Sequence, residues 1–416
     1  MKETKNLEYK ETVNNTFLKT VSAYANYGTG KILFGISDDG GIKGIENLTQ
    51  SCLDIENRIN DNIDPVPQYD LSANSKTGII TLTVYEGSYK PYFYKSKAYR
   101  RNDTATIPVE RLELTRLILE GQNLSFEELP AREQELSFSV LEKKLKEMLH
   151  LEAVTTDILK TLELYKNDSG FNNAAALLAD KNDFCGIDMV RFGENISIIL
   201  DRETYKQESI LKLYDHAFEM YCKYYQYEQI QGSIRKKFSL IPEEAYREAI
   251  ANAIVHRTWD INTDINVAMF ADRIEITSPG GLPKGMSRED YFSGGISILR
   301  NRIIGNVFFR LHMIERFGTG IKRINETYGE SIKKPVFYVS ENSIKIILPV
   351  LEKINNLSED ENMIYFAIKH KSLSSSEIAA ETGFGKTKVI SLLKKLLAEG
   401  YIRSTGKGRG IKYLSE

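Results

Sequence analysis

Apolar residues from 7 to 26 recur at helical spacing, which predicts an amphipathic helix ended by Gly28 and Gly30. The run KILFGIS behind it reads as a short apolar strand, with its turn over Asp38 to Gly41. IKGI, GIITLTVYEG and AYRRN read as further strands around a helix over SCLDIENRINDNI, so this stretch is a small α+β domain. Leu, Lys and Glu then dominate residues 130 to 180, and the helical periodicity of SVLEKKLKEMLHLEA and TTDILKTLELYK predicts a helical connector. Strand patterns return with MVRFG and ISIILDRE, and long helices follow through 230 and over PEEAYREAIANAIVH. INVAMF and RIEIT pair across Ala271-Asp272, and a Gly-rich loop runs from 278 to 283, which completes a second α/β domain ending near 350. NNLSEDEN reads as a polar linker, and the remainder as helix, helix, helix, strand, turn, strand.

Composition narrows the class. The chain has 416 residues, 42% hydrophobic and 27% charged, enough for about three globular domains. A formal net charge of -2 excludes a wholly basic nucleic-acid coat, so any such binding must use a local patch. Cys52, Cys185 and Cys222 are far apart, with no CxxC and no His at metal-ligand spacing, which predicts reduced thiols and no zinc. MKETKNLEYKE lacks a signal-peptide apolar core, no run approaches the roughly 20 apolar residues of a spanning helix, and a cytoplasmic location is expected.

The order of elements at the C-terminus is that of a winged helix. SSSEIAAETG offers a Ser N-cap, and Gly383 a turn into TKVISLLKKLLAEG. Val389, Leu392, Leu393, Leu396 and Leu397 fall on one face, leaving Lys386, Lys388, Lys394 and Lys395 outward. The hairpin YIRSTGKGRGIKYL adds Arg403, Lys407 and Arg409. From 371 to 416, nine Lys or Arg against four Glu leave about +5, enough for several phosphate contacts on duplex DNA. Gly385-Lys386-Thr387 mimics the tail of a P-loop, but Ala380 stands where that loop needs Gly.

In YREAIANAIVHRTW, Glu248, Asn252 and His256 lie at i, i+4 and i+8 on one helix face with small Ala between them, so their polar groups converge. A Glu can polarise water and an Asn oxygen can ligate Mg²⁺, while the loop at 280 to 285 and Phe317-Gly318-Thr319-Gly320 offer backbone N–H groups to phosphates. Near the N-terminus, Glu3, Glu8 and the Asp38-Asp39 pair supply carboxylates for a divalent ion and phosphodiester cleavage. Lys10, Lys31, Lys90, Arg100 and Arg101 interleave with Tyr9, Tyr24, Tyr92, Phe93, Tyr94 and Tyr99, a composition suited to a stacking, backbone-tracking surface for nucleic acid.

REAIANAIVHR, DRIEITSPGGLPKG, Arg300-Asn301 and IERFGTGI resemble the C-terminal region of bacterial RecG-related transcriptional regulators, itself similar to ATPases of the gyrase, histidine-kinase and MutL type. ETKNLEYKE, AYANYGTGKILFGISDDGGIKGI, KPYFY and YRRND resemble the Schlafen AlbA-type domain, so the likeness runs almost end to end. It implies an α+β multidomain chain: a Schlafen AlbA-like nucleic-acid-binding domain over 1–128, a connector over 129–185, an ATPase-like α/β sandwich over 186–352 and a winged helix-turn-helix over 356–416. It implies Glu248 as the water-activating residue, Asn252 as the Mg²⁺ ligand, and Gly280, Gly281, Gly318, Thr319 and Gly320 with His256 around ATP. Ser278 departs from that pattern, which has Asp two residues before the first loop glycine to hold the adenine amino group. Some Schlafen members carry a Glu, Glu, Asp nuclease site. Glu3, Glu8 and Asp38 match it, with the third carboxylate shifted by one. The expected function is a dimeric transcriptional regulator that binds duplex DNA and responds to a nucleotide; the alternatives are a metal-dependent nuclease on RNA or single-stranded DNA, and an ATPase.

Overall fold

A computed structural model describes residues 2–149, 153–231, 234–283, 285–294, 298–315, 318–329, 331, 333–351, 357–369, 371–406 and 411–415. The chain divides into two compact units, residues 1–126 and 127–416.

The first unit contains β1 (Leu7–Lys10), α1 (Phe17–Tyr27), β2 (Gly30–Phe34), α2 (Leu48–Asn62), β3 (Ile63–Asp64), β4 (Tyr69–Asn74), β5 (Ile79–Val84), β6 (Phe93–Tyr94), β7 (Tyr99–Asn102), β8 (Ala105–Pro108) and α3 (Arg111–Gly121). Its described residues form a sheet in the order β1-β2-β5-β4, with β1 parallel to β2 and the other pairs antiparallel. The helix expected over 7 to 26 therefore begins ten residues late, because Leu7 to Lys10 take Lys31 to Phe34 as ladder partners. That pairing is non-local and leaves no trace in the local apolar spacing. IKGI, expected as a strand, contributes only an isolated bridge between Ile36 and Ile42. Phe17, Leu18, Val21 and Tyr24 of α1 enter a core with Ile32, Phe34, Ile80 and Leu82. A side chain on Gly30 would lie 2.5 Å from the Tyr24 ring, so glycine there permits the close helix-to-strand turn.

In the second unit, α4 (Ser139–Leu149) and α5 (Thr156–Thr161) precede a two-stranded ribbon of β9 (Tyr165–Lys166) and β10 (Gly170–Phe171), then α6 (Asn173–Leu178). The connector is thus not wholly helical. Then come β11 (Ile187–Phe192), β12 (Ile199–Tyr205), α7 (Ile210–Tyr225), β13 (Gln226–Gln231), β14 (Ile234–Ser239), α8 (Glu243–Val255), β15 (Ile265–Met269) and β16 (Arg273–Pro279). After them lie α9 (Arg288–Ser293), α10 (Arg302–Arg310), α11 (Gly320–Thr327), β17 (Val336–Val339) and β18 (Ser343–Pro349). The described strands build a six-stranded sheet in the order β12-β11-β15-β16-β18-β17, parallel only between β11 and β15. Helix α8 lies on β16 and β18, and α10 and α11 pack beside it. The helical reading carried through to 230 fails after Tyr225, where β13 starts a hairpin whose Tyr227 stacks on Phe238 at 5.6 Å.

The segment from 357 holds α12 (Glu359–Ala367), α13 (Ser375–Thr382), α14 (Lys386–Ala398), β19 (Ile402–Thr405) and β20 (Lys412–Ser415). Leu357, Ile364, Ile368, Ile378, Val389, Leu393, Leu396 and Ile402 form a core of their own. Ser374 and Glu377 close a reciprocal cap on α13, and Gly383 ends it in the left-handed conformation at φ 72°. The acidic stretch read as linker instead supplies the first turn of α12. Among the described residues no helix is long and apolar enough to cross a membrane.

Candidate functional site

Helix α8 carries the centre of a cavity in the second unit. Its alanines at 245, 249, 251 and 253 are small enough to seat the helix on the sheet, and all are buried. One face is left to Glu248, Asn252 and His256, which line this cavity together with Ser278, Gly318 and Gly320. The Asn252 amide donates to Glu248 Oε1 at 3.1 Å, and Arg323 Nη1 of α11 stands 3.8 Å from Glu248 Oε2. Burial raises the Glu248 carboxyl above its ordinary range, with Arg323 and Asn252 opposing. Burial and the Arg300 charge push His256 down to about 4, so it is a neutral imidazole at pH 7.

Around these groups the backbone is held tightly. Asn301 Nδ2 donates to the Val255 and Arg257 carbonyls at 2.7 and 2.8 Å. Arg300 donates to the His256 carbonyl at 3.2 Å and the Gly281 carbonyl at 2.8 Å. The Arg300-Asn301 pair therefore satisfies the open carbonyls at the end of α8 and ties them to the Gly-rich loop. That loop is packed: Gly280, at φ 104°, gives its N–H to the Asn342 carbonyl at 2.8 Å, and a side chain there would strike Thr258. The Gly280 N–H is thus engaged by the protein itself, while among the described residues those of Thr319 and Gly320, at the start of α11, donate to no group. Gly320 is needed for another reason as well, because a Cβ on it would come within 2.3 Å of Glu248 Oε1. Ser278 is buried and its hydroxyl donates to the Ala253 carbonyl at 2.7 Å, which commits it to the protein. Glu315 adds a second carboxylate to the lining and Tyr291 a ring, and the other walls are mostly apolar, including Ile276, Met286, Leu299, Ile314, Ile321 and Ile346.

In the first unit Glu8 is buried and accepts from Arg101 and from the Thr20 hydroxyl at 2.7 Å, while Lys10 Nζ reaches its other oxygen at 2.6 Å. Glu3 accepts the Tyr9 N–H at 2.8 Å, and Asp38 is exposed on its turn. The structure does not assemble Glu3, Glu8 and Asp38 around one ion, and among the described residues no three His, Cys, Asp or Glu are so grouped. Lys90 is buried between Glu86 at 2.6 Å and Glu120 at 2.8 Å, and Arg100 pairs with Glu113 at 3.2 Å. Tyr9, Tyr24, Tyr92, Tyr94 and Tyr99 are buried core residues, so the expected stacking surface is largely interior. Lys31 alone of the five cations is fully on the surface.

Residues 3–110 match the profile of the family described as "Schlafen, AlbA_2", and residues 262–348 that of "Putative ATP-dependent DNA helicase recG C-terminal". The chain carries a Schlafen AlbA_2 domain and a RecG-type C-terminal domain. Among solved structures it is similar to the DIP2311 protein of Corynebacterium diphtheriae, at 18% identity and a TM-score of 0.51 over 99% of this chain and 92% of that one, a likeness of fold. The N-terminal domain of a "Putative ATP-dependent DNA Helicase RecG-related Protein" from Nitrosomonas europaea is 19% identical over 25% of this chain and 78% of that one, with a TM-score of 0.18, too low to define a shared fold. No curated protein matches the chain.

The RecG-type match begins at Asn262, beyond α8, so Glu248, Asn252 and His256 join the Gly318 to Gly320 turn through folding. Among the sequence-predicted cations of the C-terminal segment, Lys386, Lys394 and Arg403 are exposed. Lys388 pairs with Asp360 at 2.8 Å and sits 4.0 Å over the Phe384 ring. Lys395 pairs with Glu361 at 2.6 Å, and that contact with the Ser358 N–H holds the Glu361 carboxyl down at about 2. Lys407 and Arg409 lie outside the described residues. Sequence reasoning missed Arg323 as the partner of Glu248 and Asp360 as the partner of Lys388. Both contacts join separate helices, and only the acidity of SEDEN signalled the second.

Proposed function

We propose that the chain is a DNA-binding transcriptional regulator that responds to a nucleotide, its residues 357–415 acting as a winged helix on duplex DNA. The observation that carries the reading is the start of α14. Gly385 gives it no side-chain cap, no acidic residue occupies its first turn, and Lys386 stands there exposed. A lysine opposes the helix dipole at this end, so it does nothing for the helix, whereas open N–H groups beside a cation suit a phosphate. Lys394 and Arg403 extend the exposed charge, and the buried face of α14 packs into a core independent of the rest.

The α8 cavity supports the nucleotide half of the proposal. Asn252 keeps its Oδ1 free of hydrogen bonds to the described residues and would hold Mg²⁺, and the Thr319 and Gly320 N–H groups would meet phosphate oxygens. Bound Mg²⁺ would neutralise phosphate charge there. Glu248, with its raised carboxyl, would orient a water, while neutral His256 and the apolar walls would take the uncharged part of the ligand. The Ser278 hydroxyl is spent on Ala253, so adenine would lack the carboxylate contact that the ATPase pattern provides. Symmetric dimerisation would join two half-sites and multiply a modest single-module affinity. The test is fluorescence anisotropy of genomic-derived duplexes with and without ATP and Mg²⁺. A duplex affinity that shifts with nucleotide supports the reading, and an identical affinity in wild type and Asn252→Ala at saturating ATP contradicts the nucleotide half.

A further inference from the structure

A second cavity lies beside the first, and Glu248, Ile314 and Glu315 line both, so a ligand seated in the first can extend into the second over Glu248. Two arginines from different helices line the second cavity, Arg247 of α8 and Arg323 of α11, with Glu244 and His312 beside them. Arg247 Nε donates to the Tyr214 hydroxyl of α7 at 3.2 Å, which anchors the stem of the side chain and leaves both Nη groups without a hydrogen bond to the described residues. No described carboxylate pairs with it, although Glu243 and Glu244 are within electrostatic range. Among the described residues Arg323 has one ionic partner, Glu248, and at 3.8 Å that contact is longer than a hydrogen bond. Both guanidinium forks therefore face the cavity with donors unspent, and such a fork matches the oxygens of a phosphate.

The place of Arg323 on α11 points the same way. Its own N–H donates to the Thr319 carbonyl at 2.8 Å, so it stands one turn into the helix. Helical side chains lean back toward the N-terminus, which brings this guanidinium over the turn that presents the Thr319 and Gly320 N–H groups. No acidic residue occupies that first turn, and a cation there opposes the helix dipole. The arrangement gains nothing for the helix until an anion arrives.

We propose that Arg247 and Arg323 clamp the terminal phosphate of a nucleoside triphosphate and so make the site select triphosphate over diphosphate. This rests on the nucleotide reading of the α8 cavity, with Asn252 holding Mg²⁺ and the inner phosphates on the Thr319 and Gly320 N–H groups. The third phosphate then projects over Glu248 into the second cavity. Arg323 exchanges its loose contact with Glu248 for phosphate oxygens, and Arg247, fixed by Tyr214, meets them from α8. Glu248 keeps the Asn252 amide and faces the same phosphate. The exposed Glu244 and Glu315 carboxylates repel a phosphate chain that carries no metal, so the site takes the Mg²⁺ complex.

Isothermal titration of the full-length protein with ATP and with ADP, each with Mg²⁺, tests the clamp. Wild type should bind ATP at least about tenfold more tightly than ADP, the effect of one or more charge-assisted hydrogen bonds. Arg247→Met with Arg323→Met should bring the two affinities to within about threefold of each other by weakening ATP alone, since ADP does not reach the forks. Arg323→Lys should restore part of the preference to an Arg323→Met protein, because lysine keeps the charge and loses the fork. Arg247 is exposed and Arg323 half-buried, and thermal unfolding of each variant separates a lost contact from a lost fold. If a variant does not fold, the ATP to ADP ratio of the wild type decides. ADP that weakens in parallel with ATP would mean that the arginines merely support the cavity, and overturns the proposal. A wild type that binds both nucleotides equally overturns it too and leaves the nucleotide reading standing, whereas a wild type that binds neither removes that reading and the clamp together.

Discussion

The Asn252 amide donates to Glu248 Oε1 across one turn of α8, which fixes both side chains toward the same cavity. In the proposed nucleotide site they have separate duties, and substitution should separate them. Asn252→Ala should abolish the Mg²⁺-dependent part of ATP binding in isothermal titration. Glu248→Gln preserves the contact with Asn252 and should leave binding within about threefold of wild type while removing any hydrolysis, because only a carboxylate can draw a proton from water. Equal binding by Asn252→Ala and wild type would remove Asn252 as a metal ligand.

Gly320 gives an independent handle on the same geometry. A methyl group there would overlap both Glu248 Oε1 and Asn252 Nδ2. Gly320→Ala should cost about 1–3 kcal/mol of stability from overpacking and weaken ATP at least about tenfold, as the two polar groups are forced apart. Chemical denaturation and titration on the same preparation measure both effects.

In the Schlafen AlbA_2 domain, Glu8 and Arg101 are both buried and paired, with Thr20 on the same carboxylate. Glu8→Ala should therefore lower stability by about 3–5 kcal/mol, the usual result of leaving a buried partner charge unpaired. Its oxygens are occupied by Arg101, Thr20 and Lys10, so the loss should be the same with and without Mg²⁺ in thermal unfolding. A metal-dependent gain of stability in wild type that Glu8→Ala lacks would contradict this structural role.

Much of the architecture was legible in apolar spacing because α2, β5, β15 and β16 each bury one face at a regular period. What escaped depends on partners distant in sequence. Strand β1 needs β2, and the β13–β14 ribbon is only a pair of polar strands that the helical run before it masked. The site divided in the same way. Helical periodicity alone put Glu248, Asn252 and His256 on one face, but nothing local showed that Ser278 and Gly280 are committed to Ala253 and Asn342, or that Lys90 and Arg101 point inward to glutamates. A cationic or aromatic residue type does not reveal its direction in a two-sided strand.

Glu127 is fully buried, and its two oxygens accept the Ile303 and Ile304 N–H groups at 2.7 and 3.0 Å, a carboxylate capping α10 from a distant segment. Burial outweighs those bonds and lifts the carboxyl to about 7. The folded protein then holds this proton where the unfolded chain has released it, between about pH 4.5 and 7, so Glu127's contribution to stability falls as pH rises through that window. Measured against Glu127→Gln, wild type should lose up to about 3 kcal/mol across it and no more above pH 7.5. A difference that stays constant from pH 4.5 to 8 would show an ordinary carboxyl.

The central claim is that α14 and its hairpin grip duplex DNA, and the salt dependence of affinity tests it most directly. Lys386 and Lys394 are exposed, whereas Lys388 is already neutralised by Asp360. Between about 50 and 200 mM salt, Lys386→Glu with Lys394→Glu should weaken duplex binding at least about tenfold and flatten the log–log slope by about two counter-ions, with Lys388→Glu showing a smaller loss. Wild-type affinity and slope in the double variant would contradict the account.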